Sequence, residues 1–149
     1  MVDSPNSDWL AKSNLSVSSV KSVVSSSAWI RLSGETGRIL VNGVEVTNRL
    51  GMGRPDDVVR RNNYVARGVW PGGRSNAPVE MAEVRIWNVA RSQAEIPSDM
   101  NRSLVGVEPG LMAYYRMAEG AGMTAFDANT NHLSGTLMSR PAWVATAAS

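Results

Sequence analysis

The sequence predicts an all-β, antiparallel fold with one short helix, and three observations carry that prediction. Along residues 78–89 side chains alternate: Ala82, Val84, Ile86 and Asn88 fall on one face, while Glu83, Arg85 and Trp87 fall on the other. One face is built to be buried. Asn42-Gly43, between two apolar runs, is the strongest hairpin signal in the chain, because both central positions of a type I′ turn want positive φ. Ser92, with Glu95 three residues on, is a capping box and places the helix near residues 92–101.

Residues 1–12 are polar with one apolar anchor, Trp9. From residue 13 to 27, eight of fifteen residues are serine, so the scattered valines must decide the structure. Leu15 and Val17 alternate like a strand, whereas Val17, Val20 and Val24 are spaced like a helix, and periodicity does not arbitrate. Residues 1–27 are therefore read as a serine-rich arm or edge strands, and residues 28–149 as the β domain. Residues 28–32 and 38–41 read as strands joined by a turn at 34–37. Residues 49–61, with Gly, Pro and paired acids, read as a loop. A strand at 63–67 and a Trp-Pro-Gly-Gly turn at 70–73 lead into the long strand. Beyond the helix come a bend at 106–110 and a strand at 111–117, followed by the segments 119–127, 135–137 and 141–144.

At 149 residues the chain is one domain, long enough for a single core. Its 43% apolar and 19% charged content excludes the disordered class. With no cysteine, disulfides, thiolate catalysis and cysteine-based zinc or iron–sulfur sites are excluded together. Net charge is only +2, but eight of the thirteen arginines lie between Arg31 and Arg74, against four acids there. That basic half reads either as an anion-facing patch or as strand-edge arginines that discourage edge pairing; no nucleic-acid motif accompanies it. The N-terminus lacks the basic region and apolar run of a secretory signal, and no window reaches the ~18 apolar residues of a membrane span.

Several runs resemble the concanavalin A-like lectin/laminin-G superfamily of two-sheet jelly rolls. The densest comprises Tyr64, Arg67, Trp70-Pro71-Gly72, Glu83-Val84-Arg85-Ile86-Trp87-Asn88, Ala90-Arg91-Ser92 and Glu95-Ile96. A second keeps Gly37-Arg38 and Val41-Asn42-Gly43-Val44-Glu45-Val46, and the tail from Leu111 to Val144 resembles the superfamily's last strands. The resemblance covers about residues 29–144 and implies an antiparallel two-sheet β-sandwich, a lectin-like jelly roll. It names an architecture better than a job, since the superfamily hosts lectins, adhesion modules, enzyme appendages and surface parts. Only 28 residues precede the Trp29 hairpin, where the resemblance implies about 60. Either the Ala28–Leu32 segment doubles as an abbreviated leading strand, or part of one sheet is missing and its apolar face needs another chain to cover it. Ala82 stands where the superfamily carries an aspartate, which weakens calcium by analogy.

The chemistry is sparse. A retaining glucanase on this fold needs carboxylates about 5.5 Å apart on one strand face, spelled Glu-x-Asp-x-Glu, and no such run exists; Glu80 and Glu83 fall on opposite faces. The single histidine, His132, sits in an Asp/Asn-rich loop, and no phosphate-cradling motif is present. Asp127, Asn129 and Asn131 offer three oxygen side chains at alternate positions, the one candidate calcium site, and equally an Asx-rich turn that needs no metal. No other cofactor is expected. Trp70, flanked by Arg67, Arg74 and Asn76, is the candidate glycan cluster, an aromatic for stacking beside groups that bond hydroxyls. Trp87, Tyr114, Tyr115 and Trp143 read as packing residues. The expected function is non-catalytic: a structural module that self-associates or decorates a virion or cell-surface assembly, with homo-oligomer or other subunits as partners. The alternative is a lectin-like adhesion module with a glycan partner. Neither reading involves nucleic acid or membrane insertion.

Overall fold

The computed structural model describes residues 2–3, 16–22, 26–33, 35–52, 63–66 and 79–144. Its strands are β1 (Val2–Asp3), β2 (Ser16–Ser22), β3 (Ser26–Ser33), β4 (Thr36–Val41), β5 (Val44–Arg49), β6 (Val84–Trp87), β7 (Leu111–Tyr115), β8 (Thr124–Ala125) and β9 (Gly135–Leu137), with helix α1 (Glu95–Met100) between β6 and β7. Six strands form one sheet in the order β5-β4-β3-β2-β6-β7, and three form a second in the order β1-β9-β8. Every pairing is antiparallel. This is the predicted jelly-roll sandwich.

Local chemistry explains the hairpin. Asn42 and Gly43 have φ of 51° and 78°, the two positive values that a type I′ turn demands and that Asn and Gly adopt most cheaply. The turn then docks on the helix: the Gln93 side-chain amide donates to the Gly43 carbonyl at 2.6 Å. A Cβ at Gly43 would stand 3.3 Å from the Pro97 ring, so glycine also permits the close approach.

The register aligns Thr47, Ile39, Ile30, Val17, Ile86 and Ala113 in one row across the six strands. Paired residues share a face. At the β6–β7 end of that face the second sheet closes a core of Val84, Ile86, Ala113 and Tyr115 against Ala125 and Leu137. On the opposite face α1 lies across the sheet. Leu40 of β4 packs with Ile96, and Trp87, Leu111 and Tyr114 pack with Leu104 from the segment after the helix.

Four expectations need correction. The long strand at 78–89 shortens to β6, because Glu83 takes φ of 56° and breaks the extended run. Both faces of β6 are buried rather than one: all four residues are enclosed, since the helix and the loop after it cover the side that carries Arg85 and Trp87. The serine-rich segment at 16–22 is an interior strand, paired with β3 on one side and β6 on the other, so within this sheet it is neither arm nor edge. In the expected strand at 63–67, Tyr64 makes a single bridge and Ala66 turns at φ of 61°; Arg67 lies outside the described residues. The helix is placed as expected and tightened to six residues, with the capping box intact. Ser92 N–H donates to the Glu95 carboxylate at 2.7 Å, and Glu95 N–H donates to Ser92 Oγ at 3.2 Å.

Candidate ligand-binding site

The sequence-predicted glycan cluster, Trp70 with Arg67, Arg74 and Asn76, lies outside the described residues. The other singled-out groups are described, and they divide into three places.

The first is the loop after β8. Asp127 Oδ1 accepts the N–H groups of Tyr114 and Asn129 at 2.8 and 2.9 Å, and Oδ2 accepts that of Leu133 at 2.8 Å. Asn129 Oδ1 accepts from Asn131 N–H, while its amide nitrogen donates to the carbonyls of Gly106 and Leu111. Asn131 donates to the Met112 carbonyl. Each of these side chains therefore serves the backbone, and Asp127 and Asn129 are buried doing so. They stitch the loop to β7 and to the bend at Gly106, which approaches so closely that a Cβ there would stand 2.1 Å from the Ala128 carbonyl oxygen. This is the Asx-turn geometry in full. Among the described residues no group of three or more His, Cys, Asp or Glu side chains gathers to hold a metal ion. His132, at φ of 53°, is an exposed residue of the same loop. Tyr115 donates its hydroxyl to the Leu133 carbonyl, and burial, with the nearby Asp127 charge, pushes its ionisation well above the ordinary tyrosine range.

The second place is the charge network under α1. Buried Arg85 donates to the carbonyls of Asp99 and Arg102 and to the Glu83 carboxylate. Buried Asp99 accepts from Arg91 at 2.6 Å and Arg102 at 2.9 Å, and Arg91 also stacks 4.3 Å over the Trp87 ring. The Tyr114 hydroxyl donates to Glu83 at 2.6 Å; burial first, then that carboxylate, raise its ionisation. Burial opposes ionisation of Glu108, yet the N–H groups it accepts from Val105 and Gly106, with Arg102 nearby, hold it below the usual carboxylate range. The network's chemistry is that of a clamp holding the helix and the following loop on the sheet.

The third place is a cavity of about 280 Å³ at the mouth of the inter-sheet core. It is lined by the segment entering β6 (Val79, Glu80, Met81, Ala82), by Met117 after β7, by Leu137 of β9 and by residues 141–144. Met117 at φ of 58°, with Ser139 at 64° and Arg140 at 50°, turns the chain out of β7 and β9, and the last two bring the Pro141-Ala142-Trp143-Val144 segment back over the core. Trp143 is half-buried against that core and donates its indole N–H to the Gly122 carbonyl at 2.9 Å. The sequence reading assigned Trp143 to packing, which is half of what it does; the other half, lining a cavity, had no signal in a single strand's periodicity. Trp87, Tyr114 and Tyr115 are fully enclosed, as expected of packing residues.

A family model described as Concanavalin A-like lectin/glucanases superfamily matches residues 16–97. The match begins at β2 and so includes the serine-rich strand. A solved structure of a protein with a proposed carbohydrate-binding role, from Bacteroides ovatus, is 21% identical with a TM-score of 0.55. The likeness covers 74% of this chain and 33% of the other, so the chain spans about a third of that protein's length. At this identity the likeness shows the shared fold. No curated protein matches the chain in sequence. Among the described residues no helix is long and apolar enough to cross a membrane.

Proposed function

The chain belongs to the concanavalin A-like lectin/glucanase superfamily, and from that premise we propose that it is a non-catalytic carbohydrate-binding module. The observation that carries the reading is the superfamily match over more than half the chain; the likeness in fold to a protein proposed to bind carbohydrate supports it. Two further points favour binding over hydrolysis. The sequence spells no carboxylate pair on one strand face, and Glu83 is held by Arg85 and Tyr114. A glycan array probed with the whole chain tests it. Signal on a defined set of glycans is the expected result, and Trp70→Ala should erase it with the circular dichroism spectrum unchanged if the Trp70 cluster is the site. A blank array overturns the carbohydrate reading.

One observation favours a second reading, association through protein contacts. Ile30, Ile39, Val44 and Val46 expose apolar side chains at the β3–β5 end of the large sheet, and β5 is an edge strand. Light scattering behind a sizing column decides it: a stable oligomer supports assembly, and a monomer removes it.

A further inference from the structure

The cavity at the mouth of the core is the described place whose makeup suits a ligand rather than the fold. Trp143 lines it with its ring orientation fixed by the hydrogen bond to Gly122, and a pre-fixed aromatic platform costs little conformational entropy on binding. Met81 and Met117 line it with unbranched, polarisable side chains that adapt to an irregular apolar surface. Among the described residues of the lining Glu80 is the only charged side chain, and it is exposed. An ionised carboxylate accepts hydrogen bonds and donates none, so the ligand must donate from an otherwise apolar surface. A molecule with an apolar C–H face and hydroxyls at its edge meets that demand; one carrying its own carboxylate meets repulsion. The volume of about 280 Å³ falls just under the range of about 300 Å³ and upward typical of pockets for larger ligands, and so admits one ring rather than a chain.

We propose that this cavity is a glycan subsite that takes one uncharged pyranose ring, with its C–H face on Trp143 and its hydroxyls donated to Glu80. The assignment rests on the carbohydrate-binding reading above and adds to it a place and a sugar class. It also favours binding over hydrolysis at the subsite, because among the described lining residues Glu80 has no second carboxylate beside it for acid–base catalysis.

The test is a set of ¹H–¹⁵N correlation spectra of the whole chain, titrated separately with methyl β-D-galactopyranoside, methyl β-D-glucopyranoside and D-galacturonate. The Trp143 indole N–H is identified by its loss in Trp143→Phe. The expected result is that this resonance and the Ala82 and Ala142 amides move with a neutral glycoside and stay in place with galacturonate. Glu80→Gln should weaken the neutral sugar about tenfold or more, the scale of a hydrogen bond to a charged group. Glu80→Lys should reverse the preference toward galacturonate. Both substitutions are at an exposed position, and an unchanged melting temperature shows that the fold is intact. Array glycans that bind while Trp143 and the Glu80 variants stay silent overturn the subsite and leave the carbohydrate reading standing. A blank array together with no movement at Trp143 overturns both.

Discussion

The two ends of the six-stranded sheet carry similar residues in the same row and meet different fates. Ile86 and Ala113 are 2% and 0% exposed, whereas Ile30 and Ile39, aligned with them across the sheet, are 55% and 42% exposed. The difference lies in what covers them. At the β6–β7 end the short sheet closes one face, and the helix with its following loop closes the other. At the β3–β5 end the helix reaches one face, through Leu40, and the opposite face keeps its isoleucines and valines exposed. Burial in this molecule is thus decided by the chain returning over a strand, more than by the apolarity of the strand itself.

The largest effect is expected where the helix-side face of β6 is tied down by charge. Asp99→Ala leaves Arg91 without its buried carboxylate partner and costs Arg102 an ion pair, so it should cost about 3–5 kcal/mol, the scale for breaking one side of a buried pair. Urea unfolding measures it. A loss under about 1 kcal/mol would mean that the clamp is solvated and that the contrast between the two ends has another cause.

Next in size is the direct comparison along the row. Ile86→Ala deletes a fully enclosed side chain between the two sheets and should cost about 2–5 kcal/mol, with a matching fall in the urea midpoint. Equal costs for Ile86→Ala and Ile30→Ala would mean that the β3–β5 end is as well covered in solution as the other.

The sequence made the fold class, the hairpin and the helix start legible because each is a local device. Asn42-Gly43 needs only its own two dihedral angles, and Ser92 with Glu95 satisfies its own backbone. What stayed hidden was non-local. Arg85 reads as a solvent-facing residue of an alternating strand, and nothing in the strand announces that Asp99, fourteen residues on, will roof it. The break at Glu83 depends on a positive φ that a carboxylate residue gives no reason to expect. The serine-rich β2 reads as an edge because its own apolar pattern is weak; its place between β3 and β6 comes from its neighbours. Asp127, Asn129 and Asn131 were legible as either turn or metal site, and only the partners of their oxygens show the turn. Trp143 was legible as packing, while the cavity beside it requires three separate segments to converge.

A smaller effect is expected at the capping box, which sharpens the comparison from the helix side. Ser92→Ala removes the hydroxyl that accepts the Glu95 N–H and should cost about 1 kcal/mol at neutral pH. The Ser92 backbone N–H, then the Ser92 side chain, hold the Glu95 carboxyl below its ordinary value of 4.5. With the folded-state value depressed, the carboxylate's contribution is fully present above 4.5 and is lost as pH falls through the depressed value. Unfolding of the wild type followed from neutral pH into the acid range should therefore show a loss that Glu95→Gln does not share at this site. A parallel decline in the two proteins would place the acid sensitivity elsewhere, with Glu45 and Glu108 the other carboxylates held low among the described residues.

The smallest effect is expected at the open end, and its smallness is the informative part. Ile39→Thr keeps a β-branched side chain suited to a strand and removes apolar surface that already faces water, so stability should change by no more than about 0.5 kcal/mol. That holds for a chain whose β3–β5 face is bare in solution. If a second copy covers the face, the same substitution places a hydroxyl in an apolar contact, and its cost appears as a concentration-dependent melting temperature and a lower mass by light scattering. A neutral Ile39→Thr with an unchanged mass would show that the sandwich is held by its β6–β7 half, and that the exposed row is surface which the fold does not need to bury.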